Sequence, residues 1–246
     1  MIYTILQNEP LTPQVWRMRL QGQPADYRPG QFVEIRLPSF FLRRPISVCD
    51  AERVGDTSVL TLIYKVVGGG TKEMTSLLPG TQLDILAPLG NGYDLQQAGD
   101  SPLLIGGGVG IPPLCLLARQ LRAQGREVQV VLGFNTASEA FLVSEFEALG
   151  CTVQVTTADG SLGTKGFVTD AVTAANRYSR YYACGPLPML RSVIRTLGTH
   201  GEISMEERMG CGFGVCMGCS IQTASGPKRV CTDGPVFSAN ELNLND

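Results

Sequence analysis

Four cysteines crowd into the 21 residues from Cys211 to Cys231, while the other four, Cys49, Cys115, Cys151 and Cys184, are scattered along the chain. The spacing is Cys211-x4-Cys216-x2-Cys219-x11-Cys231. Such a segment has to turn tightly around whatever its thiols hold, and glycines at 210, 212, 214 and 218 permit the positive φ that this needs. Their backbone N–H groups can also be aimed at sulfur. The first two intervals match the plant-type [2Fe–2S] pattern, C-x4-C-x2-C followed by a distant fourth cysteine. A structural zinc site with four cysteine ligands is the alternative, but zinc ribbons usually use two CxxC knuckles and this chain has one. The x11 interval is short for a free-standing ferredoxin, so an appended cluster module is expected.

The rest of the chain constrains the function by exclusion. It has 246 residues, with 22 acidic and 20 basic side chains and a formal charge of −2. That balance lacks the Lys/Arg footprint of a nucleic-acid binder. No apolar run approaches the roughly 20 residues that cross a bilayer. The first ten residues carry no basic patch followed by an apolar core, so the expected compartment is the cytoplasm, where cysteines serve metal or redox chemistry more than disulfides. Histidine occurs once, at His200, which reads as a surface residue. A His-based triad therefore has almost nothing to use.

Two different hydrophobic periods divide the chain. Up to residue 98, alternating segments at 15–20, 31–37, 58–67 and 82–86 are separated by Gly and Pro turns, which predicts an antiparallel barrel or sandwich with one short helix at 72–78. From about 100 to 200, short apolar strands (102–105, 127–132, 152–156, 180–183) alternate with helical patterns (about 111–124, 137–149, 167–175, 188–197). That alternation predicts a parallel, doubly wound sheet. Residues 201–246 show little helical pattern.

Several strings carry binding chemistry. Arg43-Arg-Pro-Ile-Ser-Val48 follows an alternating strand; Arg44 can pair with a phosphate bidentately, Pro45 fixes the backbone, and the Ser47 hydroxyl can face a ring nitrogen. Gly70 and Thr71 stand at a helix start, where free N–H groups favour a pyrophosphate. An exposed arginine, a strand serine and a glycine turn are the ordinary readings of the same residues. Ile105-Gly-Gly-Gly-Val-Gly-Ile-Pro-Pro-Leu114 is a strand–turn–helix that misses the strict G-x-G-x-x-G fingerprint, yet Gly108 and Gly110 can present N–H groups to a phosphate. Cys184-Gly185-Pro186 ends a later parallel strand, where such sheets bind ligands. Cys184 also reads as a small buried hydrophobe. No acidic residue closes the second strand, at Gly133-Phe-Asn135, so the sequence does not separate NAD from NADP.

Taken in order, Arg-Pro-Ile-Ser, Ile-Tyr-Lys at 63–65, Gly-Gly-Thr, the Gly-Gly-Gly-Val-Gly turn, Cys-Gly-Pro and the four-cysteine tail resemble the ferredoxin reductase superfamily. Within it, the chain is similar over essentially its whole length to the electron-transfer subunits of NAD-dependent (type B) dihydroorotate dehydrogenase. The tail from Glu207 to Cys219, with Val230-Cys-Thr-Asp-Gly-Pro-Val-Phe237, is the most specific part. The resemblance implies three units: an FAD-binding β-barrel domain (1–98), an NAD-binding α/β domain (99–200) and a [2Fe–2S] module (201–246). It implies FAD on Arg44, Pro45, Ile46, Ser47, Ile63, Tyr64, Lys65, Gly70 and Thr71, and one cluster on Cys211, Cys216, Cys219 and Cys231. Lys65 stands where the family more often has arginine, which keeps charge but loses bidentate pairing.

The resemblance further implies a partner, an FMN-bearing catalytic subunit in a heterotetramer of two chains of each kind. Electrons would run from its FMN through cluster and FAD to NAD+ in pyrimidine synthesis. No general base is expected in this chain, because the deprotonation of dihydroorotate would belong to the partner. Two other readings stand beside this one. The first is a flavin and iron–sulfur subunit of a ferredoxin:NAD(P)+ oxidoreductase or a cytoplasmic hydrogenase. The second is a zinc-stabilised interaction subunit without redox activity.

Overall fold

The structure, a computed structural model, describes residues 1–172, 177–242 and 244. Six strands close the barrel: β1 (Ile2–Pro10), β2 (Val15–Gly22), β3 (Phe32–Ile35), β4 (Arg44–Val54), β5 (Thr57–Lys65) and β6 (Gln82–Leu89), in the order β1-β2-β5-β4-β3-β6, every pairing antiparallel. Closure leaves no unpaired edge. Tyr3, Ile5, Met18, Leu20, Val33, Ile35, Leu60 and Leu62 fill its interior. A short helix of six residues, α1 (Gly69–Met74), follows β5. It starts three residues earlier than the sequence pattern predicts, because the glycines rather than Lys72 form its first turn.

The second half is a seven-stranded sheet. In chain order it contains β7 (Leu103–Gly107), α2 (Pro113–Ala123), β8 (Gln129–Phe134), α3 (Val143–Ala148), β9 (Thr152–Thr157), β10 (Thr164–Lys165), α4 (Val168–Ala171), β11 (Tyr181–Cys184), α5 (Leu187–Leu197) and β12 (Gly201–Ser204). The strand order is β10-β9-β8-β7-β11-β12, all parallel, so the winding reverses between β7 and β11. There Cys184 lies opposite Gly106.

The helix expected over 137–149 is broken. Ala140 is extended (ψ 133°) and Leu142 takes φ +64°, so α3 begins only at Val143. Packing overrides local propensity here: Phe141 and Leu142 turn into the core, where Phe141 meets Phe134 edge-on at 5.7 Å. The helix expected over 167–175 is described as α4 over Val168–Ala171, and residues 173–176 lie outside the described residues.

After β12 the chain forms the cysteine loop, then a hairpin of β13 (Ser220–Thr223) and β14 (Gly226–Arg229). It returns as β15 (Val236–Ser238), which pairs antiparallel with β12 and becomes the seventh strand of the sheet. Asn91 stitches this return to the segment after the barrel: its Nδ2 donates to Val236 O (2.8 Å) and its Oδ1 accepts from Val236 N (3.0 Å).

The barrel and sheet share a packed boundary. Val15, Cys49 and Ile63 of the barrel join the core of the sheet, and Leu116 of α2 is buried in the core of the barrel. Among the described residues, no helix is long and apolar enough to cross a membrane.

Candidate functional site

A cleft of about 820 Å3 opens where the sheet reverses its winding. That volume lies within the roughly 300–1,000 Å3 of small-molecule sites, and the carboxyl ends of parallel strands at a switch point are where such sheets bind ligands. Its floor is Gly107, Gly108 and Gly110 after β7, with Gly185 and Pro186 after β11; Thr12–Val15 and Lys65 of the barrel form the opposite wall. Glycine is required at 110 because a Cβ there would stand 2.3 Å from the Cys184 carbonyl oxygen. The Gly108–Gly110 turn and the Cys-Gly-Pro string therefore touch backbone to backbone. Cys184 itself is 1% exposed, lies beneath the cleft, and has its thiol pKa pushed far up by burial. Its packing fits the small-hydrophobe reading.

Two acidic groups of this cleft had no sequence signal. Glu139 lies five residues beyond the end of β8, yet the structure brings it to the rim: Asn135 Nδ2 donates to Glu139 Oε2 at 2.8 Å. Glu206, just after β12, also lines the cleft, and desolvation raises its pKa.

On the barrel, β4 begins with Arg44-Pro-Ile-Ser47. The Arg44 guanidinium stacks on Phe40, 4.4 Å from the ring centroid, and donates to Leu42 O at 2.6 Å. It lies so close over the start of α1 that a Cβ on Gly70 would fall 2.1 Å from its Nε. A cation and the N–H groups of a helix start are thus brought to one spot, a donor set that suits a pyrophosphate. The Thr71 hydroxyl is occupied in closing this loop, accepting from Val67 N (2.9 Å) and Gly68 N (3.2 Å). On β5 the three residues of Ile63-Tyr-Lys65 separate: Ile63 packs at the boundary with the sheet, Tyr64 points into the barrel and donates to Asn8 Oδ1 (3.0 Å), and Lys65 reaches the cleft.

The cysteine loop holds its sulfurs in two pairs. Val215 N and Cys216 N donate to Cys211 Sγ (3.3 and 3.4 Å), and Gly218 N donates to Cys216 Sγ (3.5 Å). Cys231 N donates to Cys219 Sγ (3.4 Å), with both residues buried. Although desolvation raises the Cys211 thiol, backbone N–H groups of Cys216, Phe213 and Val215 outweigh it and bring the pKa down to about 7. Burial, then the neighbouring Cys219, pushes Cys231 up to about 12. Among the described residues, no three Cys, His, Asp or Glu converge on a point fit for one metal ion. Zinc takes four ligands around one point, whereas a two-iron cluster takes two sulfurs on each iron. Paired thiols already bathed in N–H donors fit the cluster. Arg229 braces the loop, its Nη1 donating to Gly214 O (2.8 Å) and its N to Asp233 Oδ2 (2.7 Å).

This loop rests on the barrel. Gly212, at φ +75°, covers the carboxyl of Glu34 on β3, and a Cβ there would lie 2.5 Å from Glu34 Cδ. Glu34 is fully buried and neither of its carboxyl oxygens has a partner among the described residues. Burial raises its pKa, with Arg43 partly opposing. Its strand neighbour across β3–β4 is Pro45 of the Arg-Pro-Ile-Ser string. Around the loop, Phe213, Val215 and Met217 are exposed by 56, 74 and 61%, and Met217 takes φ +59°.

A closed antiparallel barrel with an arginine stacked over a helix start, joined to a doubly wound sheet with a cleft at its switch point, defines an oxidoreductase of the ferredoxin reductase kind, here with an iron–sulfur module built into the end of its sheet. Family models match in two places: the oxidoreductase NAD-binding domain over residues 104–195, and the iron–sulfur cluster binding domain of dihydroorotate dehydrogenase B over 206–243. The dihydroorotate dehydrogenase B (NAD(+)) electron transfer subunit of Fusobacterium nucleatum is 40% identical over 98% of this chain and 97% of its own, and that of a Geobacillus species is 41% identical with the same coverage. A chain of the NADH-dependent reduced ferredoxin–NADP oxidoreductase superposes with a TM-score of 0.89 at 30% identity, covering 100% of this chain and 91% of the other. The chain belongs to the family of electron transfer subunits of dihydroorotate dehydrogenase B.

Proposed function

We propose that this subunit takes electrons from an FMN-bearing catalytic subunit at its cysteine loop and delivers them to NAD+ in the cleft, the barrel standing between the two. Its cofactors are FAD, a [2Fe–2S] cluster and NAD. The observation that carries the reading is the double contact of the barrel: Gly212 of the cysteine loop lies on Glu34, while Thr12–Val15 and Lys65 wall the cleft. When bound, the cluster handles one electron at a time, nicotinamide takes a hydride, and a flavin does both, which is why a flavin domain separates the other two.

The chain's own residues bind, orient and shield. Cys211, Cys216, Cys219 and Cys231 would ligate the cluster, with the N–H groups at 215, 216, 218 and 231 stabilising charge on sulfur. Arg44 and the first N–H groups of α1, at Gly70 and Thr71, would hold the FAD pyrophosphate, while Pro45, Ile46, Ser47, Ile63 and Lys65 would form the strand surfaces beside it and Tyr64, its ring inside the barrel, would offer main chain alone. Gly108, Gly110, Gly185 and Pro186 would take the nicotinamide dinucleotide, with Cys184 packed beneath. Glu139, held by Asn135, would accept from a ribose 2′-hydroxyl and repel a 2′-phosphate, favouring NAD over NADP. No residue here is assigned a general-base role.

The functional division we propose is 1–98, 99–200 and 201–246. The partner docks on the apolar rim of Phe213, Val215 and Met217 around the exposed Cys216, in an assembly of two chains of each kind in the cytoplasm. The test is to purify this chain with the catalytic subunit and follow NAD+ reduction by dihydroorotate. Activity supports the reading. An inactive complex refutes it. The likeness to the ferredoxin–NADP oxidoreductase favours a second reading with a ferredoxin-type donor, which the same preparation tests with reduced ferredoxin.

A further inference from the structure

We propose that Arg119 is a positioning residue: it locks the barrel against the sheet and thereby sets the Arg44–Ser47 string at a fixed distance from the Gly108–Gly110 turn. This rests on the cofactor assignment above. Arg119 lies on α2 and grips β4 three times. Its Nη2 is 2.6 Å from Asp50 Oδ1 and 2.6 Å from Ala51 O, and its Nη1 is 3.4 Å from Glu52 Oε1. Only a planar fork can satisfy a carboxylate, a carbonyl and a second carboxylate together; an ammonium is a point charge.

Three further features mark this contact as built. Four residues earlier on α2, the Cys115 thiol meets the Cys49 thiol, and both residues are buried. Leu116 enters the barrel core. On β4 the register slips between Val48 and Asp50, so Cys49 is the extra residue of a bulge, a device that re-aims side chains. Among the described residues, the other ion pair between barrel and sheet, Arg17 with Glu145, is looser at 3.7 Å.

The lever arms are short and nearly equal. From Arg119 back to Pro113, at the start of α2, is six residues, about 9 Å along a helix. From Asp50 back to Ser47 is three residues, about 10 Å along a strand. The start of α2, just after the Gly108–Gly110 turn, and the end of the Arg44–Ser47 string thus each lie about 10 Å from the clamp. A tilt of about 6° about an unlocked clamp would move either end by about 1 Å, and a misplacement of that size can cost about 100-fold in rate. Neither Arg119 nor Asp50 lines the cleft, so binding and alignment are separable.

The test uses the complete complex carrying Arg119→Ala, Arg119→Lys, Asp50→Asn or the Arg119→Ala/Asp50→Asn pair. FAD content, the NADH dissociation constant, the rate of flavin bleaching by NADH, and backbone hydrogen exchange over 47–52 and 113–119 are measured for each. Arg119→Ala is expected to slow bleaching by about 10- to 100-fold, with FAD content unchanged and the NADH dissociation constant within about twofold of wild type. Exchange should rise in both segments. Arg119→Lys should recover part of the rate, and the double variant should be no slower than Arg119→Ala, because one clamp is broken in either case. An unchanged rate in Arg119→Ala overturns the proposal, as does a rate that falls only in step with lost FAD or NADH. Wild-type complex that binds neither FAD nor NADH would instead overturn the cofactor assignment.

Discussion

Gly110→Ala tests the backbone contact on which the cleft floor depends. The new Cβ would stand 2.3 Å from Cys184 O, 2.4 Å from Cys184 C and 2.5 Å from Gly185 N, against an ordinary closest contact of 3.4 Å. All three are main-chain atoms at the end of a strand buried on both sides, so no side chain can swing away. The turn has to retreat by about 1 Å. Overpacking of this kind costs about 3 kcal/mol at the upper end of its usual range. For a chain of this size that is a fall in Tm of about 6–12 °C. The same retreat draws the turn's N–H groups away from the dinucleotide phosphates. Losing one charge-assisted hydrogen bond is worth about 1.5–3 kcal/mol, or about 10- to 100-fold in the NADH dissociation constant. Calorimetric titration with NADH and a thermal scan of the same preparation give both quantities. Gly125→Ala is the control: its φ of +80° strains a Cβ, but nothing lies within 4 Å, so Tm should fall by less and NADH affinity should not move. If Gly110→Ala binds NADH like wild type and melts with it, the contact does not shape the site.

Cys219→Ser should abolish cluster iron and sulfide while leaving much of the FAD bound; stoichiometric iron and sulfide in the variant would contradict its ligand role. Arg44→Ala should raise the FAD dissociation constant about 10- to 100-fold, read as flavin lost on dilution, with Arg44→Lys between the two. Glu139→Arg should move preference from NADH towards NADPH, measured as the ratio of kcat/KM for the two, and an unmoved ratio would remove Glu139 from that role. Asp84 accepts from Arg43 at 2.6 Å, and this bond holds its carboxyl below the ordinary value against a smaller desolvation effect. A depressed folded pKa contributes stability that is present above the unfolded value, about 4, and is lost as pH falls through the lower folded one. The Tm of Asp84→Asn should therefore lie below wild type at neutral pH and converge with it in acid.

The parts of this molecule that were legible in the sequence are those where one chemical demand fixes residue types at fixed intervals. Four thiols near one another need a short spacing and glycines between them, and Cys211 to Cys231 show both. The change of hydrophobic period near residue 100 marked the change from barrel to parallel sheet for the same reason. What escaped was set by local irregularity or by packing from elsewhere. In β1 the register slips between Ile5 and Gln7, leaving Leu6 exposed, so its alternation is broken and no strand was expected there. The bulge at Cys49 hid most of β4 in the same way. Glu139 was invisible as a cleft residue because a side-chain bond from Asn135, not strand geometry, carries it there. Glu34 reads as the polar member of an alternating strand, and only the arrival of Gly212 from 178 residues downstream makes it buried.

The return of the tail as β15 has a practical consequence for anyone cutting this protein into pieces. Because Val236–Ser238 caps the open flank of β12, a truncation placed just after the last cysteine would bare a row of main-chain donors and acceptors beside an apolar face. Such fragments tend to stick to one another. The iron-binding tail is therefore also the guard that keeps the nicotinamide half from aggregating, and the two should be expressed together.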